Sequence, residues 1–320
     1  MTEHFSLVCE AASSIKPYVV RTPLVHSQSF SEHFGFPVYL KLENVQVTGA
    51  FKVRGAMNKM LALKKARVGH VIAASSGSHA MGVSLAARTC GIKATIVMPV
   101  TSPELKRKKV LSYGAELIVD GRNYDDSYRA AIELAKRTGA ELVSSVEDEL
   151  VMAGHGTMAL EILEDLPGVD FVGIPIGGGG VISGLLMALK DHDRGIRVWG
   201  VQSTGAPSMK VSLMKGEPTE LPEIDTIADA IAVRKPGTKP FHMVRDLADG
   251  VTAVDDSDIL KAVGRLALWA KVVAEPASAS TLAVDWNQTL DCRPKAAVFI
   301  VTGGNISKDL LLKGISEAEQ

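Results

Sequence analysis

Three short segments of this 320-residue chain carry residue types and spacings that could do organic chemistry. The first is Thr48-Gly49-Ala50-Phe51-Lys52-Val53-Arg54-Gly55, where Lys52 opens a helix among small residues and beside a large aromatic ring. A lysine with reduced solvation gives up its proton more readily and becomes an amine nucleophile, although a lysine on a helix face is ordinarily solvated. The second is Gly177-Gly178-Gly179-Gly180, set between an apolar run and a helix starting near Val181. Glycines let backbone amides approach a ligand, and the helix behind them offers its positive end, which makes an anion cradle suited to phosphate. A flexible turn is the alternative. The spacing fits neither G-x-G-x-x-G nor G-x-x-x-x-G-K-[ST]. The third is Ser75-Ser76-Gly77-Ser78-His79, directly after a strand. Its free amides and hydroxyls suit a carboxylate, though such residues also simply cap helices.

Short β-branched runs alternate with amphipathic segments and must position these residues. Strands are expected at Val38–Leu42, His70–Ala74, Ala94–Met98, Glu116–Val119, Asp170–Pro175, Val198–Gln202 and Ala297–Val301. Each is short and apolar on both faces, as parallel strands covered by helices are. Helices are expected at Ser78–Cys90, Pro103–Tyr113 and Tyr124–Thr138, with Pro103 as a start and Gly114 as a stop. The alternation predicts an α/β fold with mainly parallel sheet.

Composition narrows the function. The chain is 46% hydrophobic and 22% charged with a net charge of -1, so disorder is excluded and no basic surface is available for nucleic acid. The length suggests about two domains at ~150 residues each. No linker separates them, so they are expected to share the chain discontinuously. Cys9, Cys90 and Cys292 form no C-x-x-C, which fits a reducing, cytoplasmic setting. The N-terminus lacks a secretory pattern. The uncharged stretch from Phe171 to Leu189 contains Pro175 and four consecutive glycines, so it reads as strand, loop and helix rather than a membrane span.

An amine nucleophile, a phosphate cradle and a carboxylate cradle are together what an amino-acid-handling pyridoxal-phosphate (PLP) enzyme needs. KLENVQVTGAFKVRGA, SSGSHAMGV, PIGGGGVISG, DTIADAIAV and VTGGNIS resemble, in that order, motifs of the fold-type-II family of threonine/serine dehydratases and serine racemases, whose fold is like the tryptophan synthase β subunit. The resemblance implies two domains, each a mainly parallel sheet flanked by helices. Residues 1–69 and 148–320 would form the large cofactor-anchoring domain, and 70–147 a small mobile one. It implies that Lys52 bonds covalently to PLP and later acts as the base at Cα, with Phe51 against the pyridine ring. Gly177, Gly178, Gly179 and Gly180 would hold the phosphate, and Thr302 the pyridine nitrogen. Ser75, Ser76, Gly77 and His79 would bind the substrate carboxylate. A hydroxyl such as that of Thr302 need not keep the ring nitrogen protonated, which weakens the electron sink and favours loss of a β-group.

The chain also departs from the family. Ser78 stands where an asparagine usually contacts the cofactor's phenolic oxygen, His155 where glutamine is common, and Ala230 where glycine is common. Ser144-Ser145-Val146-Glu147 replaces a segment often containing proline and an aromatic residue. Ser76 matches the acid/base of the racemases and also occurs in some hydroxyaspartate dehydratases. Glu275 matches an acidic position near the cofactor ring, with a helix cap before Pro276 as the alternative. Gln202 and Ser208 are neutral where metal-binding members supply carboxylates, so no metal is expected. Asp255, Asp256 and Asp258 read as the first turn of a helix entering Ile259–Lys271. The chain ends soon after VTGGNIS, so a regulatory domain appended there, with feedback by isoleucine, is not expected.

The expectation is therefore a PLP-dependent ammonia-lyase that eliminates water from a small 3-hydroxy amino acid such as threonine or serine, giving a 2-keto acid and ammonia. The alternatives are a serine-type racemase, or a dehydratase of another 3-hydroxy amino acid such as hydroxyaspartate. A cytoplasmic homodimer with no nucleic-acid or membrane partner is the family expectation.

Overall fold

The computed structural model describes residues 2–102 and 104–318, with Leu105 described by its backbone alone. Ten strands follow the chain as β1 (Leu24–His26), β2 (Val38–Leu42), β3 (His70–Ala74), β4 (Lys93–Met98), β5 (Glu116–Val119), β6 (Glu141–Leu142), β7 (Phe171–Pro175), β8 (Arg197–Ser203), β9 (Gly250–Val254) and β10 (Ala297–Val301). They form a six-stranded sheet in the order β1-β2-β10-β7-β8-β9 and a four-stranded sheet in the order β5-β4-β3-β6. All pairings are parallel except β1 with β2.

Burial explains why the long apolar runs are strands. Val172, Ile174, Val198, Val298 and Ile300 face one side of the large sheet and pack on the helices Glu149–Asp165 and Gly180–His192. Phe171, Val201, Phe299 and Val301 face the other, against Trp286 and the helix Asp256–Trp269. Three strands, β1, β6 and β9, are not among those expected. They are short or half-buried, so they lack the continuous apolar pattern that marks the central ones. The expectation that every strand is apolar on both faces fails at β5, an edge strand that is mostly exposed.

The helices Ser78–Cys90 and Tyr124–Thr138 have the expected bounds. Pro103, expected to open the next helix, lies outside the described residues; that helix is Glu104–Ser112, and Gly114 after it is left-handed at φ +86°. The acidic run is the start of the helix Asp256–Trp269, as expected, but Asp256 does more than balance a dipole. Its carboxylate accepts from Ser203 Oγ, Thr226 Oγ1 and the Ile227 amide.

Register gathers the chemistry at one edge. Val301 pairs with Leu42 across β10 and β2, and Phe299 with Gly173 across β10 and β7. In parallel strands the C-terminal loops share an edge, so the segments after β2, β7 and β10 emerge side by side at a reversal in strand order, where ligands bind in open α/β sheets. Among the described residues, no helix is long and apolar enough to cross a membrane.

Candidate active site

Lys52 is the first residue of the helix Lys52–Lys65, and the chain before it is fixed to the loop after β10. The Phe51 amide donates to the Thr302 carbonyl at 3.0 Å, Gly304 N–H donates to the Gly49 carbonyl at 3.0 Å, and Ala50 bridges Gly303. Two residues on, Arg54 is fully buried and bonds Glu43 and Glu161, while Lys41 bonds Glu161 at 2.6 Å. A buried pair of this kind contributes little net stability but becomes costly when one partner is lost, so it holds the helix start in one place.

The Lys52 amine lies over the Phe51 ring, 4.9 Å from its centroid. Burial lowers its pKa to about 8, against the opposing charge of Glu275. The ammonium loses more hydration than the apolar surroundings return, so the neutral amine is reachable near physiological pH. His79 and His155 stand close enough to feel its charge, and both are buried. Burial, with Lys52 adding to it, pushes His79 down to about 3 and His155 well below the usual histidine range. Both are neutral imidazoles beside the amine. The His155 ring meets Phe51 edge to face at 4.6 Å, and a Cβ on Gly55 would overlap it.

The glycine loop fits an anion. Gly177 to Gly180 are buried, yet among the described residues none of their amides donates to a protein acceptor. Buried N–H groups are almost always paired, so four without partners at the start of the helix Gly180–His192 mark a place for a ligand's oxygens. Gly179 holds φ +101°, a conformation that side chains rarely adopt. The loop after β3 shows the same feature: the amides of Ser76, Ser78 and His79 find no protein acceptor among the described residues.

The structure links several of the expected residues, Phe51 to Thr302 and Lys52 to Glu275 among them. Thr302 is 4% exposed, and its hydroxyl lies 2.9 Å from Ser278 Oγ. Ser78 Oγ accepts from Asn305 Nδ2 at 3.3 Å. His79 Nε2 lies 3.1 Å from the Val143 carbonyl, while its backbone amide in the loop after β3 finds no protein acceptor among the described residues. Glu275 precedes the turn Pro276–Ala279, but its side chain caps nothing. Its carboxyl lies against Gly303, 2.6 Å from where a Cβ would stand. Burial, with Asp229 adding to it, pushes Glu275 up to about 7. Both ends of the Gln202 amide are used within the protein, by the Ile176 carbonyl and the Lys210 amide. Among the described residues, no three metal-ligating side chains come together.

Ser278 and Asn305 were missed. Both lie inside motifs read for a neighbouring residue, and nothing local marks a hydroxyl or an amide that will find its partner across the fold.

Comparison with known proteins identifies the family. Residues 15–303 match the family described as Pyridoxal-phosphate dependent enzyme. An L-threonine ammonia-lyase of Thermotoga maritima is 44% identical over 303 residues, covering 94% of this chain and 75% of that protein. The structure of maize serine racemase superposes with a TM-score of 0.92 at 34% identity, covering 98% of this chain and 97% of that one. The processed form of threonine deaminase isoform 2 from Solanum lycopersicum gives 0.93 at 30% identity, covering 99% and 94%. A desolvated lysine and a buried amide cradle follow strands of the large sheet, a second set of unpaired amides follows β3 of the small one, and the chain belongs to the pyridoxal-phosphate-dependent enzyme family.

Proposed function

We propose that this chain is a PLP-dependent ammonia-lyase that eliminates water from an L-threonine- or L-serine-type 3-hydroxy amino acid, yielding a 2-keto acid and ammonia. The observation that carries the reading is the buried Lys52 amine, lowered to about 8, in a chain whose loops after β7 and β3 both present unpaired amides. The cofactor, when bound, supplies an electron sink for the bond broken at Cα. Gly177 to Gly180 would hold its phosphate, Phe51 would face its ring, and Thr302 would bond its ring nitrogen. Lys52 would anchor it and then take the Cα proton, while the β-hydroxyl leaves with a proton as water. Ser75, Ser76 and Gly77, with the free amides at Ser78 and His79, would seat the substrate carboxylate. Residues 70–147 would close as a unit over residues 1–69 and 148–320, excluding water. The contacts of Lys106 with Asp229 at 2.7 Å and of Arg234 with Asp125 at 3.3 Å support such a closed arrangement. A screen of keto-acid release over 3-hydroxy amino acids tests the reading; no release from threonine, serine or hydroxyaspartate overturns it.

Racemisation is the second reading. Ser76 is half-buried in the unpaired-amide loop, and its hydroxyl makes no protein hydrogen bond among the described residues, leaving it free to return a proton. Ser76→Ala should abolish formation of the D-enantiomer while retaining much of the keto-acid release. Loss of both together would show that Ser76 acts in substrate seating alone and not as the proton donor. We also read the chain as a cytoplasmic homodimer. Free Cys9, Cys90 and Cys292 fit a reducing compartment, and Val20, Val45, Val47 and Val273 are exposed apolar side chains that a second copy would cover. Sedimentation at micromolar concentration tests the dimer.

A further inference from the structure

The Ser278 hydroxyl is 1% exposed and has three neighbours within hydrogen-bond distance. Its Oγ lies 2.7 Å from the Gly303 carbonyl, 2.8 Å from the Gly303 amide nitrogen and 2.9 Å from Thr302 Oγ1. Proton bookkeeping leaves one arrangement that satisfies all three. A carbonyl only accepts, so the single Ser278 proton goes to Gly303 O. An amide only donates, so one lone pair of Ser278 receives Gly303 N–H. The remaining lone pair faces Thr302, and Thr302 must donate its own proton into it. Thr302 makes no other side-chain hydrogen bond among the described residues, so toward any further group it has only lone pairs to offer.

We propose that Ser278 is a positioning residue that turns Thr302 into an acceptor toward the cofactor's ring nitrogen, so that this nitrogen is held with its proton. The proposal deepens the reading of Thr302 given above and rests on it. A threonine hydroxyl alone could donate to an unprotonated ring nitrogen; one whose proton is held by Ser278 cannot. The ring is then a stronger electron sink than the lone hydroxyl implies. The charges gathered around this turn are Glu275, which presses on Gly303, and Lys52, Lys106 and Asp229, whose fields reach it.

The test reconstitutes the apoprotein with PLP labelled with nitrogen-15 in its ring and reads the nitrogen chemical shift at fixed pH, with visible absorbance confirming full loading. The wild type should show the shift of a protonated ring nitrogen. Ser278→Ala frees the Thr302 proton to turn toward the ring, and should move the shift to that of the unprotonated nitrogen. Ser278→Cys, nearly isosteric but a weak donor, should move it the same way and serves if the alanine variant folds poorly. Ser278→Thr keeps the hydroxyl and should restore the wild-type value. An unprotonated shift in the wild type, or an unmoved shift in both Ser278→Ala and Ser278→Cys, overturns the proposal. Thr302→Val separates the two levels. If it moves the shift while the Ser278 variants do not, only the role of Ser278 falls. If Thr302→Val leaves the shift in place, Thr302 is not the ring partner, and both readings fall.

Discussion

Asn305 Nδ2 lies 3.3 Å from Ser78 Oγ, so the loop after β10 is bonded to the first residue of the helix Ser78–Cys90. The same amide nitrogen lies 3.2 Å from the Thr48 carbonyl and 3.3 Å from that of Gly49, and its Oδ1 accepts from Lys109 Nζ at 3.2 Å. One side chain thus joins the turn before Lys52 to two helices that flank the small sheet. Asn305 thereby brings an amide to Ser78 from across the fold.

Ser78→Ala removes one neutral hydrogen bond between the two halves, an interaction of about 0.5–1.5 kcal/mol. KM for the amino acid should rise by roughly two- to tenfold with kcat little changed, because the loss falls on assembling the site rather than on the proton transfer. Steady-state kinetics decide it. A fall in kcat at constant KM would instead place Ser78 against the reacting atoms.

The Lys52 amine should set the pH dependence of cofactor capture. Only the neutral amine attacks an aldehyde, so the rate at which apoprotein takes up PLP should climb about tenfold per pH unit below about 8 and level off above it. A solvated lysine would keep climbing toward its usual 10.5. Stopped-flow absorbance reads the rate. Borohydride reduction should fix the label on the peptide containing Lys52, and Lys52→Ala should show neither colour nor turnover.

Glu275 carries the opposite linkage. Its folded pKa of about 7 exceeds the usual 4.5, so the folded state binds more protons across that window and stability falls as pH rises through it. Above about pH 7 the ionised, desolvated carboxylate remains a cost. Glu275→Gln should therefore stabilise the apoprotein at pH 8, by roughly 1–3 kcal/mol, with the gain vanishing near pH 4. Urea unfolding at the two pH values measures it, and equal gains at both would show that ionisation is not the cause.

Gly180→Ala should weaken the cofactor site through the backbone. The added Cβ would stand 2.7 Å from the Ser145 carbonyl oxygen, which has no side-chain freedom to yield. A tenfold or greater loss in PLP affinity, about 1.4 kcal/mol or more, is expected from fluorescence titration. Gly178→Ala meets only the methyl groups of Val146 at 2.7 Å, which can rotate, so its loss should be smaller. The reverse order would mean that the amides at Gly178 matter more than the helix start.

Much of the site was legible because it is local. Lys52 at a helix start, glycines between a strand and a helix, and hydroxyls after β3 are features of chain segments, set by backbone geometry and element periodicity over a few residues. The central strands β2, β3, β7 and β10 were legible for the same reason, since burial on both faces leaves unbroken apolar runs. β1, β6 and β9 left no such run, because sheet edges need only partial cover.

What the sequence determined by itself was thus the set of reactive groups and the elements that carry them. The tertiary structure alone decided their electrostatics and partners. Nothing near His155 in the chain says that its ring will meet Phe51 at 4.6 Å, or that burial will keep it neutral beside Lys52. Nothing in the EPASAS segment says that Glu275 will be pushed up to about 7, or that Ser278 will hold the proton of Thr302. Desolvation and hydrogen-bond direction depend on which atoms surround a group once parallel strands far apart in sequence lie side by side, and that neighbourhood does not exist until the sheet closes.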